Sequence, residues 1–261
     1  MTKAEKQDGF WETVKTVVWA LVIAGVFRTL FFQPFWIPSG SMKDTILIGD
    51  FLFVNKMSYG YSRWSCPFGL CPFSGRLFGT EPERGDIAVF RHPVTGADYI
   101  KRVIGLPGDT VEMRAGRVIL NGEELPQERL ADFVETFDRQ GSGGAFPRCM
   151  NTPAIGADCL KARFRETLPG GRSYFVLDID QSTGFPDNTP VFTVPAGHFF
   201  FLGDNRDNSV DSRFAQTAGG VGMVPFENLI GRADRIMFSS AGRSMLAFWT
   251  WRSDRFFHGL E

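Results

Sequence analysis

The chain has 261 residues, 43% of them hydrophobic, enough to bury one sizeable core with an appended lobe, so disorder is excluded as its default state. Its 28 Lys plus Arg nearly cancel 29 Asp plus Glu, which removes any charge argument for binding nucleic acid or another acidic polymer. An aromatic content of 14% with 27 Phe, together with frequent Gly and Pro, suits strands and turns better than a helical bundle, and the expected fold class is mainly β.

Residues 14–32 read VKTVVWALVIAGVFRTLFF, close to the roughly 20 residues that a transmembrane helix needs. Lys15 and Arg28 lie near its ends, where long basic side chains snorkel to the interfaces. The uninterrupted apolar stretch, 17–27, is short enough for a signal-peptide core or a buried helix, and both readings stay open. No small-x-small cleavage site follows it, which weighs against the signal peptide. Lys3, Lys6 and Lys15 are interspersed with Glu5, Asp8 and Glu12. Acidic residues count little in the orientation rule, so the tail is expected in the cytoplasm and everything after Gln33 outside it. Pro34 and Pro38 end the helix and push 35–37 toward an extended conformation.

Short apolar or alternating runs bounded by turn residues predict strands at 50–55, 86–90, 99–104, 110–113, 117–120, 199–202 and 229–238. Asn121-Gly122 is a strong hairpin signal. Residues 123–195 mix Gly, Pro, charge and isolated aromatics without steady period, which predicts an irregular β insertion closing back on the core. The tail around Phe248, Trp249, Trp251, Arg252, Phe256 and Phe257 fits a membrane-interface segment and a packed terminus equally well. Cys66 and Cys71, then Cys149 and Cys159, are two close pairs that favour local disulfides in an oxidising compartment; free thiols and a four-cysteine zinc site are the alternatives. The pairing itself is not fixed by the sequence.

A serine hydroxyl needs a base before it is a useful nucleophile. The three histidines, His92, His198 and His258, lie in no recognisable triad motif, although triad members need not be close in sequence. Ser41 sits in Pro38-Ser39-Gly40-Ser41-Met42, just past the anchor; taken alone this is a turn. Lys101 lies inside Tyr99-Ile100-Lys101-Arg102-Val103-Ile104, where apolar neighbours can strip water from its ammonium group and lower its pKa toward roughly 7 to 8, the range of a general base. The bland account of that lysine is a snorkelling side chain on an edge strand.

PSGSM at 38–42, RGDIAVF at 84–90, KRVIGLPGD at 101–109 and GDNRDNSVDSR at 203–213, in this order after an N-terminal span, closely resemble the boxes of bacterial type I signal peptidases, also called leader peptidases. The resemblance covers four blocks and the anchor and leaves 123–195 largely unsupported. It implies a Ser-Lys dyad in which Ser41 attacks the scissile carbonyl and Lys101 takes its proton. The Ser39 hydroxyl and the Ser41 backbone N–H would form the oxyanion hole, and Ser209 would orient the lysine amine. Asp204, Arg206, Asp211 and Arg213 would support the loop, with Asp211 and Arg213 as an ion pair. Ile37, Pro38, Met42, Ile46, Tyr99 and Ile100 would line a cleft selecting small residues at the first and third positions before the cut. No cofactor or metal is implied. The implied partners are signal-peptide-bearing preproteins, the lipid bilayer and the protein export machinery, with no nucleic acid. The implied place is the bacterial inner membrane, single-pass, with the catalytic domain on the periplasmic side.

One departure is Lys43-Asp44 where many members have Met-Pro. Lys43 is a rival base two positions from Ser41; Lys101 is preferred because Asp44 and exposure are expected to keep Lys43 charged. Arg84-Gly85-Asp86 reads as a turn entering a strand rather than an adhesion tripeptide, and 204–211 lacks the glycine and glutamate of a calcium loop. The expected organisation is a tail and anchor at 1–36, an antiparallel β catalytic core from 37–105 and 196–240, an inserted β lobe at 106–195, and an aromatic tail at 241–261. The competing functions are a maturation protease dedicated to one exported protein, and a membrane-tethered β domain that binds partners without chemistry.

Overall fold

A computed structural model describes residues 3–66, 69, 71–141, 143–180, 184–242 and 247–260. The side-chain charges of Lys3, Glu5, Lys6 and Asp8 lie outside what it describes. Helix α1 spans Lys3–Leu30, and its part Gly9–Leu30, 22 residues, is long and apolar enough to cross a membrane with none of it buried against the protein. At 1.5 Å per residue that part is about 33 Å long, matching a hydrocarbon core of about 30 Å. Trp19, Leu21 and Ile23 are each about two-thirds exposed; a core helix would bury them, so this is a transmembrane helix.

Among the described residues seventeen strands follow. The first eight are β1 (Phe32–Trp36), β2 (Asp50–Asn55), β3 (Tyr61–Ser62), β4 (Arg76–Leu77), β5 (Ile87–Arg91), β6 (Asp98–Gly105), β7 (Thr110–Arg114) and β8 (Arg117–Leu120). After them come β9 (Glu123–Glu124), β10 (Gln127–Arg129), β11 (Phe133–Thr136), β12 (Asp158–Thr167) and β13 (Ser173–Asp178). The chain closes with β14 (Phe192–Thr193), β15 (His198–Leu202), β16 (Val224–Pro225) and β17 (Leu229–Ser239). The central sheet has the order β1-β2-β17-β5-β6-β15-β16, antiparallel throughout. β17 carries register shifts between Leu229 and Gly231, Ala233 and Arg235, and Ile236 and Phe238, the bulges by which a long strand bends while pairing on both sides. β2 alternates buried and half-buried residues, whereas β6 is buried continuously from Ile100 to Gly105, as a strand covered on both faces is.

Residues 32–36 form β1 and open the central sheet, with 35–36 in the extended conformation expected of them. Pro34 pairs opposite Phe53 on an edge strand, where a missing N–H costs no ladder bond. Asn121 and Gly122 both take positive φ, 53° and 86°, and turn β8 into β9. The region expected to be irregular contains β12, ten residues long and regularly paired with β13. Its alternation escapes a hydropathy reading because two inward-facing residues are charged: Lys161 and Glu166 are fully buried, each held by an ion pair. The lobe also shares a core with the sheet, since Phe164, Tyr174 and Val176 pack with Ile104, Phe200 and Leu202.

At the C-terminus the tail is packed in part. Trp251 bridges to Ser240, Ile236 N–H donates to the His258 carbonyl at 2.8 Å, and Arg255 binds Asp50 at 2.6 Å, yet Phe248, Trp249 and Phe257 remain exposed.

Cys66 is bonded to Cys71 and Cys149 to Cys159, so all four cysteines are oxidised and the zinc and free-thiol alternatives fall away. Closing the ten-residue separation of Cys149 and Cys159 restricts the unfolded chain, and a Cys149→Ala/Cys159→Ala variant is expected to lose about 2 to 3 kcal/mol of stability. Urea unfolding measures this; a loss near zero would mean that lobe contacts alone hold the segment.

Candidate active site

The segment 38–42 is a turn between β1 and β2. Ile37 N–H donates to the Asp50 carbonyl and Gly49 N–H to the Ile37 carbonyl, each at 2.9 Å, and Ile46 N–H closes on the Met42 carbonyl at 2.8 Å. Asn205 clamps the turn from across the molecule: its side-chain amide donates to the Gly40 carbonyl at 2.8 Å and its backbone N–H to the Ser41 carbonyl at 3.1 Å. This approach needs Gly203, where a Cβ would lie 2.2 Å from Ser209 Oγ and 2.7 Å from the Ser41 carbonyl. Ser41 is thereby fixed, 7% exposed.

Lys101 reaches the same point from β6. Its Nζ donates to Ser41 Oγ at 2.6 Å and to the Ile100 carbonyl at 2.9 Å, and it lies over the Tyr99 ring. The residue is 3% exposed, and burial lowers its pKa to about 8 against the opposing pull of Asp211 and Asp204. The Ser41 N–H donates no hydrogen bond among the described residues, and Ser39 Oγ stands 3.5 Å from Ser41 Oγ.

Neighbouring residues on a strand point to opposite faces, so Arg102 turns away from the cleft. It meets Asp204 with two bonds, 2.9 and 2.7 Å, donates to the Gly85 carbonyl at 2.8 Å, and lies over the Tyr174 ring. Asp204 also accepts from Thr45 Oγ1 at 2.6 Å. Asp211 and Arg213 form two bonds of 2.8 and 2.9 Å, fully buried. Burial would raise the Asp211 pKa, but Arg213 holds it below the usual carboxylate range. Arg206 pairs with Glu166 of the inserted lobe at 2.6 Å. Arg102, Asn205 and Glu166 escaped the sequence reading, although a second basic residue inside the β6 run was a signal for Arg102.

Three expectations are corrected. Ser209 is buried, and its hydroxyl has no hydrogen-bond partner among the described residues, Lys101 included. Lys43 is not exposed: it is 4% accessible, and its Nζ lies 2.5 Å from Glu135 and 2.6 Å from Gln140 Oε1. Burial lowers its pKa, opposed by Glu135, so the counter-charge comes from the lobe while Asp44 pairs with Arg163 at 2.5 Å. Met42 and Ile46 are fully buried and pack beneath the cleft with Ile37 and Ile100 rather than lining it.

The cleft has a volume of about 370 Å³ and lies between the strand edges around Phe35–Ser39 and Asp98–Lys101. Ile37, Pro38, Tyr99 and Ile100 line it, joined by Phe35, Val89 and Val210, with Ser41 and Lys101 in its wall. No histidine bonds to Ser41; His92 Nδ1 accepts the N–H groups of Val94 and Thr95 in its own turn.

Residues 10–238 match the family model described as signal peptidase, peptidase S26. The chain is 42% identical over 229 residues to signal peptidase I of Rickettsia typhi, covering 84% of this chain and 77% of the relative. It is 41% identical over 246 residues to that of Rickettsia akari, covering 91% and 81%. A crystal structure of a signal peptidase I from Enterococcus faecalis aligns at 26% identity over 59% of this chain and 97% of that one, with a TM-score of 0.30, too low for the fold to be read from it. With the match spanning the anchor, the Ser41 turn, β6 and the 203–213 loop, the chain belongs to the signal peptidase family, peptidase S26.

Proposed function

We propose that Ser41 and Lys101 are the nucleophile and general base with which this membrane-anchored peptidase removes N-terminal signal peptides from exported preproteins. The observation that carries the assignment is the 2.6 Å bond from Lys101 Nζ to Ser41 Oγ inside a buried site. A neutral Lys101 takes the Ser41 proton as the oxygen attacks the scissile carbonyl, and the resulting ammonium returns it to the leaving amine. The uncommitted Ser41 N–H, aided by Ser39, receives the oxyanion, a role in which one donor is worth about 3 to 4 kcal/mol. Deacylation repeats the proton transfers with water in place of the serine hydroxyl.

The substrate lies in the cleft as an extended segment between two strand edges, which offer main-chain hydrogen bonds. The close apolar walls favour small side chains before the cut by overlap with larger ones. Asp204, Arg206, Asp211 and Arg213 act as positioning residues for the loop that clamps Ser41. The catalytic domain faces the outer side of the inner membrane: Lys3 and Lys6 precede the apolar part of α1, Gly9–Leu30, and two disulfides suit an oxidising compartment.

Ser41→Ala and Lys101→Met are each expected to abolish precursor cleavage while the domain stays folded; turnover by either purified variant contradicts the dyad. Lysine with a folded pKa of about 8 instead of 10.5 costs the fold stability while charged, a cost complete below about pH 8 and relieved as pH rises toward the unfolded value. Lys101→Met should therefore melt at or above the wild-type temperature at pH 6.5, and a lower melting point would count against a dry amine. Activity runs the same way: kcat/KM should rise about tenfold per pH unit below the lysine pKa and level off above it. A flat profile from pH 6 to 9 in a chemistry-limited assay argues for another base. Asp204→Ala leaves Arg102 charged and unpaired in the interior, a change expected to cost about 3 to 5 kcal/mol, read by thermal unfolding. For orientation, protease added to spheroplasts should digest the catalytic domain without lysis; protection until lysis would reverse the topology.

A further inference from the structure

A second cavity, of about 670 Å³, runs between the central sheet and the inserted lobe. All four residues of β11 line one wall, and Trp36, residues 47–49 and residues 240–242 line the other. Successive residues of a strand face opposite sides, so a cavity touching four in a row lies along the strand's edge rather than on one face. Among the described residues β11 pairs with β12 alone, which leaves that edge open, and Val134 on it is 52% exposed. An open edge facing a groove is the geometry into which an extended chain adds as one more strand.

The groove adjoins the active-site cleft. Trp36 lines both cavities, and Lys43, in the groove wall, follows Ser41 by two residues, no more than about 7 Å of chain. Gly141 of the groove packs beside Pro38 of the cleft, where a Cβ would lie 3.0 Å from the Pro38 carbonyl. The signal-peptide side of a substrate occupies the first cleft and stops at Ser41, so the segment beyond the cut needs another channel.

Its charge is positive. Lys43, Arg139 and Arg252 line it against Glu135 and Asp138. Glu135 is shared, 2.5 Å from Lys43 and 2.6 Å from Lys161, so one carboxylate serves two ammonium groups. Arg252 donates to the Ile48 and Ser240 carbonyls and stands 3.8 Å from Asp50, which Arg255 already holds at 2.6 Å.

We propose that this groove binds the mature side of the substrate polypeptide as an added strand on β11 and favours acidic side chains there. The proposal rests on the Ser41–Lys101 cleavage reading and adds a second binding site to it.

The test uses full-length enzyme in detergent and peptide substrates with one signal side and mature sides of two or ten residues. The longer, acidic peptide should have a KM at least about fivefold lower, near 1 kcal/mol of binding, at similar kcat. N-methylation of its backbone amides at the third to sixth mature positions should erase the gain, because an added strand needs those donors. Exposed Arg139 lies outside the catalytic machinery, and Arg139→Glu should cut the two-residue peptide normally while losing the preference for acidic over basic mature segments. A KM independent of mature length, or a length effect that survives N-methylation, overturns the groove while leaving the dyad standing. Failure to cut even the short peptide would overturn both.

Discussion

The proposed roles of Lys101 and Ser41 require an amine that spends enough time uncharged at its contact with Ser41 Oγ, and nearly everything around it serves or threatens that condition. Water is excluded by burial, which pulls the pKa to about 8, while Asp211 and Asp204 pull it back. A free carboxylate in either place would favour the charged amine more strongly. Each is instead engaged by its own guanidinium, Asp211 by Arg213 and Asp204 by Arg102, which spends much of their field locally. The buried ion pairs around the dyad are thus part of its electrostatics as well as its support.

Such pairs are poor sources of net stability, because desolvation offsets much of their attraction, but removing one partner is severe. Here they also connect. Arg206 to Glu166, Lys43 to Glu135 and Asp44 to Arg163 all join the catalytic turn or loop to the inserted lobe. The unusual Lys43-Asp44 step therefore has counterparts in the same lobe strands, β11 and β12. The lobe braces the nucleophile turn from behind, and its shared core with the sheet makes the two parts one packed body.

The membrane helix enters the same geometry directly. It runs into β1 after Leu30, and Tyr61 donates its hydroxyl to the Leu30 carbonyl at 2.8 Å. β1 spans about 17 Å at the usual rise per residue and delivers the chain to Ile37 and the Ser41 turn. The Ser41 turn is thus tethered by one short, hydrogen-bonded strand to the end of the membrane helix.

The sequence by itself determined the elements whose signals are local. An apolar run of sufficient length set the anchor, turn-bounded β runs set most strands of the central sheet, and four ordered motifs singled out Ser41 and Lys101. Each rests on neighbours in the chain, where propensity and period act. Only tertiary structure decided which groups meet: that Lys43 is buried on Glu135, that the Ser209 hydroxyl makes no bond to Lys101, that Met42 and Ile46 lie under the cleft, and that Arg102 and Asn205 hold the loop. β12 shows the same divide within one element, because its inward charged residues look like surface until their partners, over 25 residues away in one case and 40 in the other, are in place. Burial and charge compensation are properties of contacts between distant segments, and a linear pattern carries no record of them.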